Sequence, residues 1–329
     1  MSKLLENVLI ANIYLQPVQF SLSIITNILN IRILCSRSLR KSPCTHYFLA
    51  YAILSIIYTC LACLTQFLRG FYIDWANGKI GCKIHFYVLF LIPFQVNLML
   101  ILASYNRYCS SSKSRRIHSR DTIRTARIHI IFGTFISAIY MSPMLIIYNW
   151  IEIYHKCIPQ INIITNIYTF SQVFLYYLLA PLLMIIFGFL TISNIGRQSA
   201  RAKLLTVSIR RRRRTERQLS RMLLFQIIVH VILILPFGII YYINILKPST
   251  RTPNILAIRY ISVMWQQCDY FVSFFLYVFS GRVYRQELSN LIRSNGFKSR
   301  RRQLRNDIQQ FTLIPTSMLP AIIPKDVFI

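Results

Sequence analysis

"LASYNRYCSSSKSRR", residues 102–116, decides how the chain is read. An apolar run closes on Asn106-Arg107-Tyr108, and serines and arginines follow at once. An arginine at such a border either snorkels toward lipid headgroups or acts as a switch that pairs with another segment. Either way, the run before it reads as a membrane span. A span needs about 20 mostly apolar residues. Seven stretches qualify, at 8–34, 46–68, 83–106, 126–149, 169–193, 219–246 and 255–280. The chain is 55% hydrophobic over 329 residues, with a mean hydropathy of +0.47, which is more apolar than ordinary soluble domains. The expected fold is an all-α membrane protein, a seven-transmembrane helix bundle covering 1–293.

The net charge of +29 raises nucleic-acid binding as a possible function. The placement of the charge argues against it, because the basic residues sit between long apolar runs rather than on a soluble domain. With the N-terminus outside, Lys3, Arg69, Lys79, Lys83, Lys156, Lys247, Arg251 and Arg259 fall outside, and the other 30 of the 38 Lys and Arg residues fall inside. This is the positive-inside pattern. It sets an extracellular N-terminus, a cytoplasmic C-terminus and an odd number of spans. The anionic inner leaflet is partner enough for these side chains.

Most of the eight cysteines lie in apolar runs, where a buried thiol is the ordinary state. Cys82 and Cys157 stand apart on the outer, oxidising side, where they can pair; two free thiols are the alternative. The loop stretch "WIEIYHKCIP", 150–159, alternates enough for a short strand. Beyond span seven, "GRVYRQELSNLIRS" gathers Val283, Leu288 and Leu291 near one face among arginines. This predicts a short amphipathic helix over 282–293 on the inner membrane surface, with a disordered cytoplasmic tail over 294–329.

Several short motifs, in order and at fixed separations, make the chain resemble the rhodopsin-like family of G-protein-coupled receptors, as a divergent member near its peptide-type and orphan receptors. "WANGKIGC", 75–82, is similar to the family's Trp-x-Phe-Gly-x-x-x-Cys, and Cys82 stands 25 residues before Arg107, as the family's disulfide cysteine stands before its switch arginine. "NRY" occupies the place of Asp/Glu-Arg-Tyr. Asn27, Pro181 and Pro236 match polar and proline positions of spans one, five and six. Glu216 lies 20 residues before Pro236, where many members carry the acid that pairs with the arginine. "SFFLY", 273–277, keeps only Tyr277 of Asn-Pro-x-x-Tyr. The resemblance implies a Cys82–Cys157 disulfide. It also implies a switch and coupling set of Asn106, Arg107, Tyr108, Glu216, Pro236 and Tyr277. The departures are that Ile53 stands at the span-two aspartate, "LILP" replaces Cys-Trp-x-Pro, and His230 stands where a phenylalanine is usual.

The resemblance also bears on the ligand. Leu89 takes the place of the aspartate that monoamine receptors use, so a buried ammonium would lack a counter-ion. Gln267 takes the place of the opsin lysine, so retinal is disfavoured. The expected ligand-binding residues are Leu89, Phe90, Phe237, Tyr241, Tyr242, Arg259 and Gln266, and a peptide is the favoured ligand. No cofactor or metal is expected. The leading function is transmission of an extracellular signal, with a neuropeptide as the candidate ligand, to heterotrimeric G proteins at the plasma membrane, without enzymatic chemistry. The alternatives are a seven-helix transporter and a non-signalling decoy or chemosensory relative. Asp269 is the one carboxylate deep in a span, and a lone aspartate there costs about 2.5–3.5 kcal/mol. It is expected to form a buried polar cluster with Asn27 and Ser273, and with Asn97 as an outer member.

Overall fold

The computed structural model describes residues 2–37, 39–71, 73, 78–112, 122–152, 156–160, 162–200, 207–246 and 252–293. Helix α1 is Lys3–Leu34, opened by Ser2, whose Oγ accepts from the Leu5 N–H at 3.4 Å. Helix α2, Pro43–Gly70, starts on a proline, which suits a first helical position because no N–H is needed there. Helix α3 is Lys79–Ser111, and α4, Ile123–Met141, is capped by the Thr122 hydroxyl. A short α5, Met144–Ile147, leads into a hairpin of β1, Tyr148–Ile151, and β2, Lys156–Pro159, in which Trp150 faces Cys157. The stretch 150–159, expected as one short strand, instead contains the end of β1 and all of β2, which pair antiparallel. Span five consists of α6, Ile163–Val173, a π-helical turn Phe174–Leu179, and α7, Ala180–Ala200. Helix α8 is Val207–Leu246, α9 is Pro253–Gln267 and α10 is Asp269–Ser280. Residues 282–293 form α11. Met1–Tyr284 is one compact unit and Arg285–Ile329 a second. The tail expected over 294–329 lies outside the described residues.

The distribution of polarity shows what surrounds the bundle. On α1, Asn12, Gln16, Ser23, Thr26, Asn27 and Asn30 are buried, while Tyr14, Val18 and Ile25 are exposed. On α4, Ile131, Phe132 and Phe135 point outward and Ser137 is buried. In water this arrangement would forfeit the hydrophobic driving force. In a bilayer, lipid covers the apolar faces, and buried side-chain polar groups join the helices.

Among the described residues, six helical stretches are long and apolar enough to cross a membrane: Lys3–Leu34, Pro43–Gly70, Lys79–Ser111, Ile123–Ile147, Ile163–Gly196 and Gln218–Ile243. The seventh span is divided at Cys268 into α9 and α10, so neither piece reaches full length. No proline or glycine sits at the break. Side chains from the neighbouring helices instead take the carbonyls around it, a recognised cause of helix distortion. Gln19 Nε2 donates to the Met264 carbonyl at 3.0 Å, and the Cys268 N–H turns to Trp265 instead. The Tyr51 hydroxyl donates to the Asp269 carbonyl at 3.1 Å, and Asn27 Nδ2 donates to that of Tyr270 at 2.6 Å.

Pro236 leaves the Ile232 carbonyl without its helical N–H donor, and Trp265 Nε1 of α9 reaches that carbonyl at 3.4 Å. Close by, span five crosses α8 at Gly238, where a Cβ would overlap the Tyr177 ring. Gly238→Ala should therefore cost about 1–3 kcal/mol through overpacking, despite alanine's better helix propensity. Thermal unfolding of the purified variant in lipid nanodiscs checks this; an unchanged or raised midpoint would contradict it.

Candidate functional site

The Cys82–Cys157 disulfide, with Cα atoms 5.7 Å apart, ties β2 to the start of α3. Tyr148 of β1 stacks on Phe86 of α3, with centroids 4.0 Å apart and rings 5° from parallel. The hairpin is thus held over one end of the bundle, here called the disulfide end. A cavity of about 110 Å³ opens beneath it. Leu89, Phe90, Phe237, Tyr241, Arg259 and Gln266 all line it. Tyr242 does not, and packs toward Phe170. The lining residues that the sequence did not suggest include Arg69, Gln66, Gln172 and Tyr176. Gln267, at the opsin-lysine position, is buried and accepts a hydrogen bond from Gln16 at 2.9 Å.

Below the cavity lies a chain of buried polar groups that joins five spans. Gln266 Nε2 donates to the Tyr176 hydroxyl at 3.4 Å. The Tyr176 carbonyl, in the π-helical turn, accepts from Asn97 Nδ2 of α3 at 3.1 Å. A π-turn offers such a carbonyl because its ladder is locally rearranged. Asn97 Oδ1 meets His230 Nε2 of α8 in a short contact, and His230 Nδ1 lies 2.7 Å from Asp269 Oδ2 of α10. The Tyr51 hydroxyl of α2 is 3.3 Å from the same carboxyl oxygen. His230 is 1% exposed and Asp269 4%.

The Asn97 orientation constrains the protons. With Nδ2 directed at a carbonyl, Oδ1 is the acceptor, so His230 Nε2 must carry a hydrogen. The proton between Nδ1 and Oδ2 then belongs either to the imidazole, giving an ion pair, or to the carboxyl, giving a neutral pair. The net charge of the pair is zero in both forms. A deep aspartate is tolerated in a membrane on those terms.

This corrects the expected cluster. Asn97 reaches Asp269 through His230, but Asn27 and Ser273 bond elsewhere. Asn27 donates to Ser23 and to the Tyr270 carbonyl. Ser273 accepts from Asn30 Nδ2 at 3.4 Å, and Asn30 Oδ1 also accepts from the Tyr284 hydroxyl. The sequence contained the missing partner, since His230 is the deep histidine of span six. Ile53 is 44% exposed on the outward face of α2, so its side chain does not occupy an interior acid site; Tyr51 is the α2 residue that meets Asp269.

At the opposite end of the bundle, Arg107 is only 2% exposed. Its Nη2 donates to Ser42 Oγ at 3.0 Å and approaches Asn106 Oδ1 at 3.4 Å. Its Nε and Nη1 donate to no described residue. Ser42 immediately precedes α2, so Arg107 joins spans three and two. The Glu216 side chain lies outside the described residues, and with it the expected Arg107–Glu216 pair. Tyr108 packs on Phe187, and the Tyr277 hydroxyl donates to Gln226 Oε1 at 2.5 Å.

Residues 26–275 match the family described as "7 transmembrane receptor (rhodopsin family)". No curated protein matches the chain.

Proposed function

The chain belongs to the rhodopsin family of seven-transmembrane receptors, and from that premise we propose how it works as a multi-pass receptor of the plasma membrane. A ligand binds in the cavity at the disulfide end, which is extracellular. The opposite end acts on a heterotrimeric G protein and catalyses no covalent step. The orientation is supported by the 30 basic residues assigned to the other side and by a disulfide that needs an oxidising compartment.

The observation that carries the reading is the hydrogen-bonded chain from cavity to core. Gln266 and Tyr176 line the cavity, and Tyr176 is bonded to Asn97, which is bonded to His230 and through it to Asp269. The His230–Asp269 pair tethers span six to span seven in the resting conformer. A ligand that moves Tyr176 or Gln266 weakens the tether. Its effect is limited by its differential affinity for the two conformers. At the other end, Nε and Nη1 of Arg107, which donate to no described residue, suit a carboxylate, first that of Glu216 at rest and then a group of the G protein once span six has moved.

A peptide is the favoured ligand, because the hairpin and the aromatic lining offer extended backbone and large apolar contacts. The experiment is G-protein activation by the full chain in a reporter cell across a peptide library, with solute uptake measured in parallel. Ligand-dependent nucleotide exchange is expected. Solute flux without exchange would favour a carrier that uses the buried His230–Asp269 pair.

A further inference from the structure

Among the described residues the cavity lining includes the charged side chains Arg69 and Arg259 and no acid. Arg69 is in the last turn of α2 and Arg259 near the start of α9, so both stand at the disulfide end. Each guanidinium lies over an aromatic ring, Arg69 at 5.9 Å from the Tyr260 centroid and Arg259 at 5.8 Å from that of Tyr241. The Tyr241 ring orients the Arg259 guanidinium without cancelling its charge. The acid on the hairpin, Glu152, pairs with Lys79 at 3.0 Å and does not line the cavity. The walls are apolar and aromatic, with Phe86, Leu89, Phe90 and Phe237 among them.

A second observation points to the ligand independently. Gln66 and Gln172 line the cavity and are more than nine-tenths buried, yet the Oε1 atom of each accepts no hydrogen bond from a described residue. Buried acceptors of this kind are normally satisfied. A ligand bearing N–H groups would satisfy them.

We propose that the cavity takes a molecule with a carboxylate head on an apolar or aromatic body, the head toward Arg259 and the body among the rings. This rests on the reading of the cavity as the ligand site. A peptide bound by its free C-terminus supplies both the carboxylate and the N–H groups for Gln66 and Gln172. A fatty carboxylate supplies only the first. Bidentate capture of a carboxylate is the geometry for which a guanidinium fork is suited.

The test uses the purified full chain in neutral-lipid nanodiscs. The probes are N-acetyl-Leu-Phe as free acid, the same dipeptide as C-terminal amide, dodecanoate and dodecanol. Binding to the folded state raises the unfolding temperature. The two acids should raise it, the free-acid dipeptide most, and the amide and alcohol should not. Arg259→Gln should weaken acid binding by about tenfold or more, while Arg259→Lys keeps part of the preference. Leu89→Trp, which fills the cavity, should remove every shift. A shift from dodecanoate alone would support the acidic head and assign an amphiphile as its source. Equal shifts from acid and amide, both blocked by Leu89→Trp, would overturn the acidic head and leave the cavity as the ligand site. Shifts that survive Leu89→Trp, or no shift from any probe, would overturn both.

Discussion

His230→Leu is expected to destabilise the bundle by about 3 kcal/mol, whereas the double variant His230→Leu/Asp269→Leu stays within about 1 kcal/mol of the native protein. The single change leaves a carboxyl 4% exposed, with the Tyr51 hydroxyl as its remaining side-chain partner among the described residues. A buried group that loses its partner bears its full desolvation cost. Asp269→Leu should cost less, because the remaining imidazole still bonds Asn97 through Nε2. Removing both leaves no ionisable side chain there, while Tyr51 keeps the main-chain carbonyl of residue 269 and Asn97 keeps that of Tyr176. Asp269→Asn should cost the least of the single changes, since an amide N–H can still face Nδ1. Equilibrium unfolding in mixed micelles gives the complete cycle. Additive losses in the double variant would show that the two side chains are not energetically coupled.

Arg107→Ala is expected to abolish G-protein activation while leaving ligand binding intact. The residue is far along α3 from the cavity lining, 14 positions beyond Pro93, which is about 21 Å of helix. Its present bonds, to Ser42 and Asn106, use one nitrogen of a five-donor group. Arg107→Lys separates charge from shape. A lysine keeps the positive charge but cannot present a planar fork, so coupling should remain strongly reduced. Nucleotide exchange on a co-reconstituted G protein reads the effect, and probe binding to the same samples reports on the cavity. Full exchange in Arg107→Ala would remove this residue from the coupling surface.

The spans, the disulfide pair and the six cavity residues Leu89, Phe90, Phe237, Tyr241, Arg259 and Gln266 were legible from apolar run length, compartment and motif spacing. The rotation of each helix about its axis was less so. In a bilayer, isoleucine and phenylalanine serve both the lipid face and the core, so Ile53 gives no local sign that it points outward. The His230–Asp269 pair spans 39 residues and two helices, and no periodicity links such positions. Their being the deep histidine and the deep acid was the available signal. The break at Cys268 was hidden for a related reason. Gln19, Asn27 and Tyr51 on other helices bond the carbonyls beside it, with no proline or glycine in its own segment to mark it. The hairpin around Cys157 needed the pairing partner, β1, before its alternation could be told from a single strand.

In the proposed mechanism the His230–Asp269 pair holds span six in the resting conformer. Ligand-independent nucleotide exchange tests it most directly, comparing native protein with His230→Leu/Asp269→Leu, which loses the tether but keeps its packing. The expected result is basal exchange raised well above the native level at near-native stability, with a correspondingly smaller increment on adding ligand. Native basal exchange in a double variant that folds, binds ligand and still responds to it would contradict the claim.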